Sequence, residues 1–92
     1  MSELRRSCTI VNQRGLHARA SARFVNAVAA LPEGCSVRVT KDCNEAGGGS
    51  ILGLMMLGAA RGDTVEVIVG GDDADAVLDQ LCALIDDGFG ED

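Results

Sequence analysis

The sequence predicts an α+β fold: a two-layer, open-faced sandwich whose four-stranded, mainly antiparallel sheet carries three helices on one face. The first observation is the length of 92 residues, which suits a single domain with one core. The second is the order of two kinds of segment along the chain. Segments with alternating apolar and polar residues indicate strands and segments of helical period indicate helices, and together they give the order β-α-β-β-α-β-α. The third is that the strands alternate instead of being continuously apolar, which is typical of a sheet with one face in water.

The first half of the chain predicts a strand, a helix and two further strands. In the first strand the inward positions are Leu4, Cys8 and Ile10. A helix is predicted from about residue 16 to residue 30, because apolar residues recur there at spacings of four and three: Ala20, Phe24, Val28 and Leu31. The second strand has its inward positions at Cys35, Val37 and Val39. A short third strand is predicted near Glu45.

The second half predicts a short helix, the fourth strand and the last helix. Ser50 is a natural N-cap for a helix over residues 51–57, because its hydroxyl can accept a hydrogen bond from an unpaired backbone N–H. In the fourth strand Val65, Val67 and Val69 are predicted to face inward and Ile68 outward. The last helix has one apolar stripe, formed by Ala74, Val77, Leu78, Leu81, Leu84 and Ile85. Residues 86–92 are predicted to form an acidic tail of the single domain 1–92.

The charges are divided unevenly along the chain. Residues 1–41 contain seven bases and two acids, a net charge of +5, whereas residues 42–92 contain twelve acids and one base, a net charge of −11. An anionic ligand is therefore expected at the first half, even though the whole chain carries −6. The negative total and the lack of Trp and Tyr argue against nucleic-acid binding.

The sequence also bears on location and on the cysteines. No apolar run reaches the roughly 20 residues that span a bilayer, and the N-terminal residues lack the apolar core of a signal peptide. We therefore expect a cytoplasmic protein that does not enter the membrane. The chain has four cysteines, Cys8, Cys35, Cys43 and Cys82, and none are paired as CxxC. We therefore expect all four to be reduced, and three of the four are predicted at inward positions.

His17 is the only histidine, and it stands where the first predicted helix begins. The unpaired N–H groups of that first turn, near Ala18 and Arg19, form an anion site together with the positive end of the helix dipole. The guanidinium of Arg19 matches phosphate geometry, and Arg23 follows one turn later on the same face. An imidazole, backbone donors and an arginine can together hold a phosphoryl group on nitrogen, with no metal and no cofactor.

The position of His17 in the sequence is also compatible with other roles. A histidine at a helix start is often a solvent-exposed cap or a packed residue without chemical function, and Arg19 and Arg23 can be solvated side chains. A zinc site is disfavoured because the dispersed cysteines give His17 no local ligand pair. Serine hydrolysis is disfavoured because the sequence near His17 contains no nucleophile elbow and no carboxylate.

The stretch from Ile51 to Leu57 is apolar nearly all round, with the exception of Gly53. A helix of about two turns on one sheet face can bury only part of such a surface, so some of these side chains are expected in solvent. Exposed Leu and Met side chains favour docking to more than one partner. The alternative is that Met55 and Met56 fill gaps in the core.

Two segments resemble the signatures of one family. Residues 15–25, GLHARASARFV, are similar to the phosphorylation-site motif of the HPr family, the histidine phosphocarriers of the bacterial phosphoenolpyruvate-dependent phosphotransferase system. Residues 50–58, SILGLMMLG, resemble the second signature of that family, a serine ahead of a short hydrophobic helix. The resemblance covers essentially the full chain. It implies the family's antiparallel four-stranded sheet covered by three helices.

The resemblance implies a role for each matching residue. His17 stands at the position that accepts a phosphoryl group on Nδ1 from phosphorylated enzyme I and passes it to a IIA-type protein. Arg19 matches the arginine that attends the transfer, and Ser50 matches the serine that an HPr kinase/phosphorylase modifies in some members. The chain is then expected to be a monomeric phosphocarrier and not an autonomous enzyme. The backbone of Ala18 and Arg19 is expected to bind phosphate, and the docking residues are expected to be Arg23, Ile51, Leu52 and Met55.

The sequence departs from the family pattern at one position and leaves the branch open. Ala20 stands where many members have proline, so the first helical turn keeps a backbone donor but loses the fixed φ that helps to start a helix. Residues 88–92, GFGED, resemble the nitrogen-related branch, so both regulation and sugar transport remain open. The alternative function is a non-catalytic regulatory module whose partner binding is switched by phosphorylation.

Overall fold

The strands and helices of the computed structural model, which describes residues 3–91, follow the predicted order. The strands are β1 (Glu3–Thr9), β2 (Ser36–Lys41), β3 (Asn44–Gly47) and β4 (Thr64–Gly70). The helices are α1 (Ala18–Ala29), α2 (Ile51–Met56) and α3 (Ala74–Asp86), and a C-terminal 3₁₀ turn covers Gly88–Gly90. The predicted fold class and element order are confirmed.

The four strands form one sheet in the order β1-β4-β2-β3, and each neighbouring pair is antiparallel. In the register, Cys8 lies opposite Val65, and Val39 lies between Val67 and Ala46. These side chains belong to the single core cluster, which also contains the apolar stripes of the helices. The three helices therefore cover one face of the sheet, and α1 packs against α2 on that face.

The outer face of the sheet is charged, and its bases are paired. Arg38 lies 2.7 Å from a carboxylate oxygen of Glu3 and 2.8 Å from one of Glu45, while Arg5 lies 3.1 Å from one of Glu66. Arg5 and Arg38 are thus paired with acids from other strands, and Arg6 of β1 is paired with Asp79 of α3. This arrangement leaves the arginines of the first helix as the better candidates for an outside anion.

Two strand residues lie on the predicted faces but differ in exposure from what those faces suggest. Ile68 lies on the outer face as predicted, opposite Arg5 and Arg38, but only 3% of its surface is exposed, because the aliphatic stems of these arginines can cover apolar surface. Leu4 lies on the predicted inner face, opposite Val69, but 38% of its surface is exposed, since it lies near the end of an edge strand.

The four cysteines are free, as expected. Cys8 and Cys82 are buried with their sulfurs 3.0 Å apart, Cys35 is partly buried and Cys43 is exposed. Burial, followed by the hydrogen bond with Cys82, raises the pKa of Cys8 to about 12. Cys8 is therefore a neutral, inert thiol at physiological pH.

The C-terminal segment folds back onto the molecule. Phe89 is fully buried in the core cluster, and only 16% of the Glu91 side chain is exposed. The predicted acidic tail therefore includes a core residue, while its last residue, Asp92, lies outside the described residues. None of the helices within residues 3–91 is long and apolar enough to cross a membrane.

Candidate functional site

His17 is the N-cap of α1. Its backbone is extended, with φ −76° and ψ −176°, and its Nδ1 accepts a hydrogen bond of 3.3 Å from the backbone N–H of Arg19. The imidazole thus does what a Ser or Asn side chain does at most helix starts. Because an amide N–H can only donate, Nδ1 must carry a lone pair and not a proton. The side chain is 22% exposed, so a visiting group can reach the ring.

The other ring nitrogen faces a carboxylate from the far end of the chain. Nε2 of His17 lies 2.9 Å from Oε2 and 3.0 Å from Oε1 of Glu91. The hydrogen bond with His17, and after it the one from Asn12, lowers the pKa of Glu91 below its ordinary value. A carboxyl group with a lowered pKa adds stability above its unfolded pKa and loses it as the pH falls through its folded pKa. We therefore expect this contact to weaken only in acid.

The loop before α1 is tied to the rest of the fold by hydrogen bonds. The N–H of Leu16 donates to the carbonyl of Ala59 at 2.9 Å, which joins the loop to the segment after α2. The Nδ2 group of Asn12, whose residue is 2% exposed, donates to the carbonyl of Gly15 at 2.8 Å. These bonds fix the entry of the chain into α1 and hence the place of the imidazole.

An open cleft of about 480 Å³ is bordered by Arg19 and Glu91, the two residues that hydrogen-bond to the imidazole. Its lining residues are Gln13, Arg14, Arg19, Arg23, Gly90 and Glu91. Within residues 3–91, Arg14 and Arg19 have no carboxylate at salt-bridge distance, whereas Nη1 of Arg23 donates to the carbonyl of Phe89 at 2.7 Å. Three guanidinium groups and one carboxylate give the cleft a positive charge, which suits a phosphoryl group.

Ser50 caps α2 as predicted, since its Oγ accepts a hydrogen bond of 2.9 Å from the N–H of Gly53. The side chains that α2 leaves in solvent form an apolar patch: Ile51 (41% exposed), Leu52 (67%), Met55 (40%) and Met56 (75%). The alternative that the two methionines fill gaps in the core is wrong, because Leu54 and Leu57 take the inward positions.

The structure places the site residues that the sequence indicated on two helices, α1 and α2. His17, Ala18, Arg19 and Arg23 share the first two turns of α1. The backbone N–H of Arg19, which was expected to bind phosphate, is already bonded to the imidazole in this state. Ser50 lies at the start of a different helix, and no hydrogen bond joins it to this group within the described part of the chain.

Asn12, Arg14 and Glu91 were not predicted from the sequence as site residues. The surroundings of His17 were predicted to be basic, and the structure adds a carboxylate to them. One feature of the sequence pointed to the C-terminal segment: Phe89 is a single large apolar residue between two glycines in an acidic run, and such a residue needs a place in the core. Among residues 3–91, no group of three or more His, Cys, Asp or Glu side chains is placed to hold a metal ion.

Comparison with known families and proteins gives a consistent result. A family model described as the PTS HPr component phosphorylation site matches residues 4–87. The chain is 40% identical over 91 residues to the phosphocarrier protein NPr of Shewanella violacea, and the aligned residues cover 99% of this chain and 98% of that protein. It is 41% identical over 88 residues to the phosphocarrier protein HPr of Neisseria meningitidis, with 96% of this chain and 97% of that one covered.

Solved structures agree. HPr from Thermoanaerobacter tengcongensis superimposes with a TM-score of 0.86 at 35% identity, covering 100% of this chain and 99% of that one. An HPr from Bacillus anthracis superimposes with a TM-score of 0.84 at 25% identity, covering 92% of this chain and 99% of that one.

Proposed function

This chain belongs to the HPr family of phosphocarrier proteins of the phosphotransferase system, which are not enzymes, and we propose that it carries the phosphoryl group on Nδ1 of His17. The donor is phosphorylated enzyme I and the acceptor is a IIA-type protein. The exchange takes place in the cytoplasm, a location that the four free cysteines support.

The observation that carries this proposal is the hydrogen bond from the N–H of Arg19 to Nδ1 of His17. It leaves a lone pair on Nδ1 at the open start of a helix, next to a cleft with three arginines. At 3.3 Å the bond is long and therefore weak. The same N–H can turn to an oxygen of the incoming phosphoryl group, as the N–H groups at helix starts do for phosphate.

The transfer is a displacement at phosphorus. The lone pair of Nδ1 forms the new N–P bond while the bond between phosphorus and the donor histidine breaks, and its electron pair leaves with the donor ring. Transfer to the IIA-type protein is the same step with His17 as the leaving group. The guanidinium of Arg19 balances the charge on the phosphoryl oxygens during both steps.

The apolar patch of Ile51, Leu52, Met55 and Met56 supports docking of the larger partner proteins. Its exposed side chains lie on α2, which packs against the helix that begins at His17. The same patch also supports the second candidate, a regulatory module that binds partners without passing the phosphoryl group on. The two differ in one result: only a carrier transfers its label to a IIA-type protein.

The test is a labelling experiment on the purified chain with enzyme I and ³²P-phosphoenolpyruvate. We expect one phosphoryl group per chain, labile in acid and stable in alkali, with phosphorus bonded to Nδ1 by ³¹P NMR of the ¹⁵N-labelled protein. Omission of enzyme I is the control and should leave the chain unlabelled. An acid-stable label, or none in the complete mixture, would rule out the proposal.

The variant Arg19→Ala is expected to slow phosphoryl acceptance roughly 100-fold, because it removes a charge that acts on the transferring group. Its affinity for enzyme I should change by less than about threefold, since docking uses the apolar patch. Rapid-quench kinetics and a binding titration measure the two quantities. The matched control is Arg5→Ala on the outer face of the sheet, which should transfer at the normal rate. Equal losses in the two variants would contradict the role of Arg19.

Phosphorylation of Ser50 by an HPr kinase/phosphorylase is the regulatory part of the proposal, and Ser50→Asp imitates its charge. Asp is as good an N-cap as Ser, so the free energy of unfolding should stay within about 0.5 kcal/mol of the original value. Binding to enzyme I should weaken, roughly tenfold, because the charge lies at the edge of the apolar patch. Ser50→Asn is the control, since it caps the helix without charge. Equal affinities of the two variants in a titration would refute the electrostatic effect.

A further inference from the structure

We propose that Glu91 is a positioning residue. It holds the ring proton of His17 on Nε2, so that Nδ1 is unprotonated and its lone pair can attack phosphorus. This inference rests on the proposed function, and it adds a residue that stands 74 positions away from the histidine in the chain. Neither signature segment of the sequence contains Glu91.

Two hydrogen bonds on opposite sides of the imidazole allow only one neutral form of the ring. On one side the N–H of Arg19 donates to Nδ1, which must accept. On the other side Nε2 lies within 3.0 Å of both carboxylate oxygens of Glu91, which can only accept when ionised. The neutral ring satisfies both contacts when its proton is on Nε2. A carboxylate that orients a histidine in this way is also the principle of the Ser-His-Asp triad.

The carboxylate of Glu91 is itself held in place by Asn12. The Nδ2 group of Asn12 donates to Oε1 of Glu91 at 3.0 Å and to the carbonyl of Gly15 at 2.8 Å. Because both partners are acceptors, the amide can point in only one direction. Asn12 therefore connects the carboxylate to the loop that leads into α1, so that the two sides of the imidazole are positioned by one network.

The backbone before Glu91 is fixed by two further contacts. Phe89 has a left-handed backbone, with φ 58° and ψ 27°, which is costly for a bulky residue. Its side chain is fully buried, and its carbonyl accepts a hydrogen bond of 2.7 Å from Nη1 of Arg23. These contacts hold a strained turn, and the turn directs the chain back toward His17. Arg23 thus has a second use, as the anchor of the C-terminal segment.

The network has a direct consequence for the transfer step. When Nδ1 bonds to phosphorus, the proton stays on Nε2 and the ring gains a positive charge. The hydrogen bond to Glu91 holds the proton on Nε2 while this charge forms. When the phosphoryl group leaves, the ring returns to the same neutral form without exchanging a proton with water.

The test compares Glu91→Ala and Glu91→Gln by two measurements. The first is ¹⁵N NMR of the ring, which is free of overlap because the chain has one histidine. We expect a slowly exchanging Nε2–H signal in the original protein, loss of that signal in Glu91→Ala, and its retention in Glu91→Gln, whose amide oxygen can accept the same bond. The second is the rate of phosphoryl acceptance, which should fall roughly tenfold in Glu91→Ala and stay within about threefold in Glu91→Gln.

The control is Glu33→Ala, which removes one negative charge just after the far end of α1 and should change neither measurement. An unchanged ring signal or an unchanged rate in Glu91→Ala overturns the inference. So does an equal loss of rate in Glu33→Ala, or a Glu91→Gln variant as slow as Glu91→Ala. If the original protein accepts no phosphoryl group at all, the proposed function fails, whereas the ring signal still decides whether Glu91 holds the proton on Nε2.

Discussion

Replacement of His17 by alanine is expected to reduce phosphoryl labelling by enzyme I and phosphoenolpyruvate to background. His17 is the only histidine, so no other imidazole can take over the group. The loss should be complete because the variant lacks the atom that bonds to phosphorus, whereas loss of a stabilising group only slows the step. Scintillation counting of the isolated chain after a fixed labelling time measures the result.

Alanine at this position also removes a helix cap, which typically costs about 1 kcal/mol. The matched variant is therefore His17→Asn, because Asn is a good N-cap and cannot accept the phosphoryl group in this way. We expect both variants to be unlabelled, and His17→Asn to unfold closer to the original midpoint in urea. Acid-labile label above background in either variant would show that His17 is not the carrier residue.

Gly15→Ala is expected to have the largest effect on stability among the substitutions considered. Gly15 has φ +64°, and a Cβ atom there would overlap with the carbonyl oxygen of Ala59 and lie 2.9 Å from Cα of Ala60. The neighbours are backbone atoms and cannot rotate away. The left-handed conformation costs alanine about 1–2 kcal/mol, and the overlap adds about 1–3 kcal/mol, so the free energy of unfolding should fall by roughly 2–5 kcal/mol.

Gly58→Ala separates the two contributions. Gly58 has φ +67°, nearly the same as Gly15, and a Cβ atom added there meets nothing within 4 Å. This control should therefore lose only the conformational part, about 1–2 kcal/mol. Urea unfolding measures both variants, and equal losses would show that the approach to Ala59 does not matter. The rate of phosphoryl acceptance should also fall in Gly15→Ala, because the overlap separates Leu16 from Ala59 and so lengthens the hydrogen bond between them.

Much of the fold follows from local patterns in the sequence. Alternation over β1, β2 and β4, and a helical period over α1 and α3, predicted these five elements and the class of the fold, whereas the C-terminal 3₁₀ turn was not predicted. Ser50 and His17 were placed at helix starts because caps depend on residues within one turn. Exposure was not predicted where a side chain is covered by a residue from another strand. Ile68 is the clearest case, since Arg5 and Arg38 flank it from strands that are distant in the chain.

The sequence by itself determined the order of the elements, the single histidine at the start of a helix and the apolar patch on α2, because each depends on neighbours a few residues apart. Only the tertiary structure decided which arginines are paired and what faces each nitrogen of the imidazole. Those contacts join residues from opposite ends of the chain, such as His17 and Glu91. Their formation depends on how α3 and the buried Phe89 pack against the rest of the core, which no local pattern describes.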